Sequence, residues 1–224
     1  MDPLAPTPRL PTPRLPTPRL IATADDLAEG AAWLALREPR FGEALARCGP
    51  LRLRRRREGF EAVLGAIVGQ QVSVAAADAI WRRMEAARLT RPRVIARASE
   101  EEMRAVGLSR QKIRYARALA AARIDYRALR DAPHETVVAT LTAVPGVGVW
   151  TAEIYAMFSL RRADVFAPGD LALQEAARLL LGLPERPRER AFRLMAEEWA
   201  PWRSVAAHLL WAYYAREKAR EGIR

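Results

Sequence analysis

Apolar residues recur at helical spacing along most of the chain. The clearest set is Phe60, Val63, Leu64, Ile67 and Val68, which follow i, i+3, i+4, i+7 and i+8 and mark the buried face of a helix. Similar spacing predicts helices over residues 23–37, 99–106, 109–122 and 151–160, with further ones around Trp199 and Leu209. No alternating apolar and polar run is long enough to indicate a strand. The pattern therefore predicts an all-α fold of about eight to ten helices.

Residues 6–20 interrupt this pattern because they repeat the sequence PTPRL three times. Proline lacks a backbone N–H and fixes its own φ, so the repeat cannot continue a helix or join a sheet. We therefore expect a disordered Pro/Arg tail over residues 1–22 and an all-α domain of two helical lobes over residues 23–224. The tail is either a passive extension or a basic arm that binds DNA or a partner groove.

A tight turn at Pro145, Gly146 and Gly148 joins two helical patterns. Glycine tolerates positive φ and lets a partner approach the bare backbone, so the segment predicts a helix-hairpin-helix at about residues 133–160. The first turn of the second helix has free N–H groups and the positive end of the helix dipole, which favours an anion. The residues predicted to contact such an anion are Gly146, Val147, Gly148, Val149 and Thr151.

The formal net charge of +11 indicates that this anion is a nucleic acid phosphate. The basic cluster formed by Arg52 and residues 54–57 is either solvated surface or a direct DNA contact. Cys48 is the only cysteine, which excludes an intramolecular disulfide and a four-cysteine iron–sulfur cluster. Without an apolar run long enough to cross a bilayer or a signal peptide, we expect a cytoplasmic, nucleoid-associated bacterial protein with no membrane partner.

A second turn places Asp170 after Pro168 and Gly169, at the head of an apolar helical run. An aspartate in this position is ordinarily a helix N-cap, because its side chain accepts hydrogen bonds from the first backbone N–H groups. Capping occupies only part of the carboxylate, so the same residue is also available for chemistry. The sequence alone leaves both interpretations of Asp170 open.

Several segments resemble the helix-hairpin-helix (HhH-GPD) DNA glycosylase superfamily, and within it the 3-methyladenine DNA glycosylase II (AlkA-type) branch. They are VPGVGVWTAE, VFAPGDLALQ, FEAVLGAIVGQQVSVAAADAIW and GLSRQKIRYARALA. The resemblance covers roughly residues 60–214. It corresponds to a compact form, because the chain before Phe60 has no room for the β-rich N-terminal domain of larger members.

The resemblance implies that Asp170 faces the sugar of a flipped, damaged nucleotide. Cleavage of the N-glycosidic bond leaves positive charge on the sugar, which a fixed carboxylate stabilises. Relatives that also cleave the DNA backbone carry an amine nucleophile where this chain has Trp150. We therefore expect a monofunctional glycosylase of double-stranded DNA, without lyase activity, that leaves an abasic site.

Trp150 and Trp211 match aromatic residues of the base pocket in this branch, and Tyr155 and Tyr213 are weaker candidates. Aromatic faces hold cationic N3- or N7-alkylated purines by cation–π attraction, which favours substrates such as 3-methyladenine and 7-methylguanine. Gln71 matches a residue that fills the gap left by the extruded base. Its other interpretation is a residue that satisfies backbone groups at a helix end.

The resemblance also implies a monovalent cation held by the backbone carbonyls of Thr142, Val144 and Val147. Neither His134 nor His208 belongs to a metal-ligand cluster in the sequence, so we expect no catalytic metal and no cofactor. A monomer is expected.

Two other functions are compatible with the sequence. One is a noncatalytic helix-hairpin-helix module that binds the DNA backbone. In that case Asp170 is only a helix cap and Trp150 belongs to the core. The other is a glycosylase for deaminated or oxidised bases.

Overall fold

The computed structural model describes residues 18–54 and 56–220. Within these ranges the backbone is helical, and the single β pairing is an isolated bridge between Leu20 and Arg162. The α-helices are α1 (Ala24–Arg37), α2 (Pro39–Cys48), α3 (Phe60–Gly69), α4 (Val74–Ala86), α5 (Pro92–Ile95), α6 (Glu100–Ala105), α7 (Arg110–Ala121), α8 (His134–Thr142), α9 (Val149–Phe158), α10 (Leu171–Leu180), α11 (Glu189–Met195) and α12 (Arg203–Arg220). Two 3₁₀ helices span Ala128–Arg130 and Ala196–Trp199. The prediction of an all-α fold is confirmed.

The helices form two packed groups. In one, α12 packs against α1, α2 and α10. In the other, α3 packs against α4 and α7, and α5 and α6 also contact α7. The hairpin pair α8 and α9 joins this second group through the contact of α9 with α3. No described helix has the length and apolar character needed to cross a membrane.

An aromatic cluster fixes the segment that leads into the Asp170 turn. The ring centroid of Phe166 lies 4.9 Å from that of Phe192 and 5.4 Å from that of Trp199, in edge-to-face geometry. Phe41 of α2 packs on the same tryptophan at 5.2 Å. Because all four rings are buried, the backbone just before Asp170 is anchored in the core.

Side-chain caps set many of the helix starts. Thr23 and Ser99 form capping boxes, and Ser73 and Ser109 cap α4 and α7. Helix α2 is not among the helices that the sequence predicts. Proline is favoured in the first turn of a helix, so Pro39 also begins α2.

Residues 19–22, which the sequence assigns to the tail, pack on the domain. The guanidinium of Arg19 lies 4.0 Å from the ring centroid of Trp202 and pairs with Glu29 at 2.5 Å. Ile21 is 3% exposed, and its N–H donates to the Arg161 carbonyl at 2.7 Å. Buried apolar surface and backbone hydrogen bonds thus extend the domain toward the N-terminus. The first 17 residues of the tail predicted over residues 1–22 lie outside the described residues.

Candidate active site and DNA-binding hairpin

Asp170 caps α10, as the sequence predicts for an aspartate in this position. Its Oδ1 accepts hydrogen bonds from the backbone N–H groups of Ala172 at 2.9 Å and Leu173 at 3.0 Å. These bonds satisfy two N–H groups at the start of the helix, where the dipole also favours a negative charge. The cap therefore fixes the position of the carboxylate at the end of a rigid element.

Two indole groups also converge on Asp170 from distant parts of the chain. Trp150 Nε1 donates to Oδ2 at 3.0 Å, and Trp211 Nε1 donates to Oδ1 at 3.3 Å. Both donors are neutral, so they orient the carboxylate without cancelling its charge. No ion pair involves Asp170 in the described part of the chain. The result is a fixed, uncompensated negative charge flanked by two aromatic rings.

The turn before Asp170 is closed by its own hydrogen bonds. The N–H of Asp170 donates to the Ala167 carbonyl at 3.0 Å, and Gln174 Nε2 donates to the Pro168 carbonyl at 2.7 Å. Gln174 is 8% exposed, so this bond is shielded from water. At Gly169 an added Cβ would lie 3.4 Å from Glu189 Oε2, which shows how closely α11 approaches the turn.

The hairpin depends on Gly146, which has a φ of +88°. A Cβ at this position would overlap the ring of Tyr115 on α7. The carbonyl of Gly146 accepts a hydrogen bond from Gln70 Nε2 at 2.7 Å. The hairpin is thus held by α7 on one side and by the turn that follows α3 on the other.

Gly148 is the N-cap of α9 and offers no side-chain cap to the helix. The helix begins at Val149, two residues before the predicted start at Thr151. Gly148 and Val149 are exposed, while Val147 and Thr151 are buried. Because no side chain covers the first N–H groups of α9, they are available to an external acceptor.

The turn between α3 and α4 places Gln71 on the surface with a φ of +56°. Val72 and Val74 beside it are 38% and 78% exposed. Gln70, in contrast, bonds to the hairpin. The two adjacent glutamines therefore have different environments, and Gln71 is the one that projects freely.

Tyr155 and Tyr213 lie in the core, where they are 4% and 6% exposed. The hydroxyl of Tyr155 accepts a hydrogen bond from the Gly59 N–H at 2.9 Å, and burial raises the pKa of this tyrosine. Trp150, in contrast, is 47% exposed. Of the four aromatic residues proposed for the pocket, the two tryptophans approach Asp170 directly.

A cleft of about 650 Å³ opens beside Trp150, between α3, α4 and α9. Thr151 and Ile154 of α9, Trp81 of α4 and Arg56 also line it. The sequence gives no specific role to Trp81 and places Arg56 only within the basic cluster. Helical spacing cannot separate a core position from one that faces a cleft, because both are apolar on one side of the helix.

Glu153 of α9 is a further residue that the sequence does not single out. Its side chain is buried and pairs with Arg193 Nη1 of α11 at 2.9 Å. Burial raises the pKa of Glu153 to about 7, an effect that Arg193 only partly opposes. This ion pair connects α9, which carries Trp150, to α11, which lies beside the Asp170 turn.

No group of three or more His, Cys, Asp or Glu side chains that could hold a metal ion occurs within residues 18–54 and 56–220. His134 and His208 are each packed in separate surroundings, and burial lowers the pKa of both. Near the hairpin, the carbonyl of Val144 accepts a hydrogen bond from Val147 at 3.0 Å. A carbonyl oxygen has a second lone pair, so this bond leaves it able to coordinate a cation.

Comparison with known proteins identifies the family. The model of the HhH-GPD superfamily base excision DNA repair protein matches residues 64–201. A DNA-3-methyladenine glycosylase of Schizosaccharomyces pombe is 32% identical over 171 residues, which cover 72% of this chain and 75% of that protein.

Solved structures show the same likeness. A DNA-3-methyladenine glycosidase from Bacillus halodurans has a TM-score of 0.77 at 32% identity, over 90% of this chain and 94% of that one. A 3-methyladenine DNA glycosylase of S. pombe in complex with abasic DNA has a TM-score of 0.72 at 29% identity, over 82% of this chain and 95% of that one. The matched region contains both the hairpin and Asp170. The chain therefore belongs to the HhH-GPD superfamily of base excision DNA repair proteins, in its AlkA-type branch.

Proposed function

We propose that this protein is a monofunctional DNA glycosylase that excises alkylated purines of the 3-methyladenine and 7-methylguanine type and leaves an abasic site. The observation that carries the proposal is the Asp170 carboxylate, fixed by a helix N-terminus and two tryptophan donors. The three relatives described above are named as 3-methyladenine glycosylases or glycosidases, which supports the substrate class. The protein acts as a monomer on double-stranded DNA that contains a damaged base.

The reaction begins when the damaged nucleotide leaves the stack and its sugar reaches Asp170. The C1′–N bond breaks with its electron pair on the base, and the carboxylate stabilises the positive charge that remains on the sugar. Water then adds to C1′ and loses a proton, which gives the abasic sugar. A base that is already cationic leaves as a neutral molecule, so it needs no acid catalyst.

The absence of lyase activity is proposed from the positions of the amines. Lys112 and Lys218 are the only lysines. Lys112 Nζ donates to the Val68 carbonyl at 2.7 Å, and Lys218 Nζ lies over the ring of Tyr214. Trp150 stands where a lysine nucleophile would be needed, so no Schiff base forms with the sugar.

The hairpin and the α3–α4 turn hold the DNA in this proposal. The free N–H groups at the start of α9 bind a backbone phosphate, and Gln71 fills the gap left by the flipped base. A monovalent cation coordinated by the carbonyls of Thr142, Val144 and Val147 would link the hairpin to a phosphate. These contacts position the strand without reading its sequence.

Release of free 3-methyladenine and 7-methylguanine from methylated duplex DNA tests the function. Asp170→Asn keeps a side chain that can cap α10 but removes the charge, so the rate should fall by about 10²–10³ while the melting temperature changes little. Borohydride should trap no covalent adduct with either protein. If the wild type binds DNA but releases neither base, the substrate class is wrong; equal release by the variant would contradict the role of Asp170.

A further inference from the structure

Arg56 lies on the segment between α2 and α3, which carries the basic cluster. Its backbone N–H donates to the Phe158 carbonyl at the end of α9 at 3.3 Å. Its guanidinium carbon lies 5.4 Å from the centroid of the Phe158 ring. The ring of Phe158 in turn lies 5.6 Å from that of Trp211, which donates to Asp170. Arg56 therefore contacts the aromatic pair of Phe158 and Trp211, which supports the candidate catalytic carboxylate.

Arg56 also lines the cleft beside the other tryptophan. This cleft includes Trp150 and Thr151 in the first turn of α9 and Ile154 in the second. Trp150 donates to the opposite oxygen of Asp170. Asp170 itself does not line the cleft, but a base attached to a sugar at Asp170 could reach Trp150, and Arg56 lies in the wall of the same cleft.

The charge of Arg56 has no carboxylate partner within ion-pair distance in the described part of the chain. Of the two carboxylates that line the cleft, Glu61 pairs with Arg57 at 3.2 Å and Glu85 forms no ion pair with Arg56. Glu58, two residues after Arg56, pairs with Arg130 at 2.6 Å. Partial burial lowers the pKa of Arg56, and the charge of Arg54 adds to this effect. Arginine remains protonated in proteins at neutral pH, so a cation without an ion-pair partner lies at the wall of the cleft.

We propose that Arg56 determines lesion preference by favouring neutral damaged bases over cationic ones. The inference rests on the proposed glycosylase function. A neutral purine takes the electron pair of the breaking bond and becomes negatively charged as it leaves, and a guanidinium stabilises that charge. Its N–H groups also match acceptor atoms on the purine edge, such as O6 and N7. A cationic purine instead meets a like charge when it binds.

The ratio of two excision rates tests this proposal. We would measure kcat/KM on duplexes that carry a single hypoxanthine, which is neutral, or a single 7-methylguanine, which is cationic. In Arg56→Gln the hypoxanthine to 7-methylguanine ratio should fall by about tenfold, as expected for a unit charge several ångströms away at an effective dielectric near 20. Arg56→Lys keeps the charge and should retain most of the wild-type ratio.

Arg52→Gln is the matched control, because it removes the same charge from the same segment at an exposed position outside this cleft. Its ratio should equal that of the wild type. An unchanged ratio in Arg56→Gln, or an equal loss on both lesions, would overturn the inference while leaving the glycosylase function intact. The inference would also be overturned if the wild type released only 7-methylguanine. A wild type that released only hypoxanthine would overturn it too, if its Arg56→Gln variant gained no release of 7-methylguanine. Release of neither lesion by the wild type would instead count against the proposed function.

Discussion

The two oxygens of the Asp170 carboxylate have different surroundings. Oδ1 accepts hydrogen bonds from Ala172, Leu173 and Trp211, whereas Oδ2 accepts one bond, from Trp150. A carboxylate oxygen accepts about two strong hydrogen bonds, so Oδ1 has no remaining capacity. Oδ2 therefore is the oxygen that can face the sugar or orient the attacking water, and the capping role does not compete with the chemical one.

Glu153 should make stability depend on pH. Burial raises its pKa from 4.5 to about 7, so the native state holds this proton more tightly than the unfolded chain. The contribution of protonated Glu153 to the free energy of unfolding is complete below the pKa that Glu153 has in the unfolded chain. As the pH rises through about 7 this contribution is lost, which lowers the free energy of unfolding by up to about 3 kcal/mol. Glu153→Gln cannot ionise, and between about pH 5 and pH 8 its free energy of unfolding should therefore rise relative to that of the wild type.

Denaturant unfolding of both proteins across this pH range measures the difference. Glu189→Gln is the control, because Glu189 also pairs with Arg193, at 3.3 Å, but is exposed. Its free energy of unfolding should still fall near pH 7 as in the wild type, with a slightly lower midpoint because the charge of Glu189 also raises the pKa of Glu153. Parallel profiles for wild type and Glu153→Gln would contradict the raised pKa.

At the scale of the elements, the two hairpin glycines should respond differently to alanine. Gly146→Ala combines a positive φ with an overlap on Tyr115, so it should lower the free energy of unfolding by about 2–4 kcal/mol. Gly148 has a φ of −88° and no heavy atom within 4 Å of an added Cβ. Gly148→Ala should leave stability nearly unchanged but weaken binding to duplex DNA several-fold, because its methyl group obstructs the N-terminus of α9.

Thermal melting and DNA titration of the two variants separate these effects. A stable Gly146→Ala protein would show that the hairpin is not held against Tyr115 as described. Full DNA affinity in Gly148→Ala would show that this end of α9 does not approach a phosphate.

Local sequence predicts the helices and their caps well, since capping and apolar periodicity act over a few residues. It predicts α10 with Asp170 at its head, and the hairpin with its glycine turn. It misses α2, because Pro39 ends one helix and begins the next. It also cannot show that Trp150 and Trp211 meet at Asp170, since only tertiary packing brings groups so far apart in sequence together.

At the scale of the molecule, the packing of residues 19–22 should contribute to the stability of the whole domain. Ile21 is 3% exposed, so Ile21→Ala should lower the free energy of unfolding by about 2–5 kcal/mol. Leu20 is 38% exposed, and Leu20→Ala should cost about 1 kcal/mol or less. Chemical denaturation measures both. Equal, small losses would mean that this segment does not belong to the folded unit.

The hydrogen bond from the Ile21 N–H to Arg161 also restricts which copy of the repeat can dock. Arg19 and Leu20 end the third PTPRL copy, and Ile21 follows them. After the first and second copies the corresponding residues are Pro11 and Pro16, which have no N–H to donate. The chain therefore cannot slide by one repeat and keep this bond. Copies of the repeat can therefore be gained or lost upstream in evolution while the same residues remain attached to the domain.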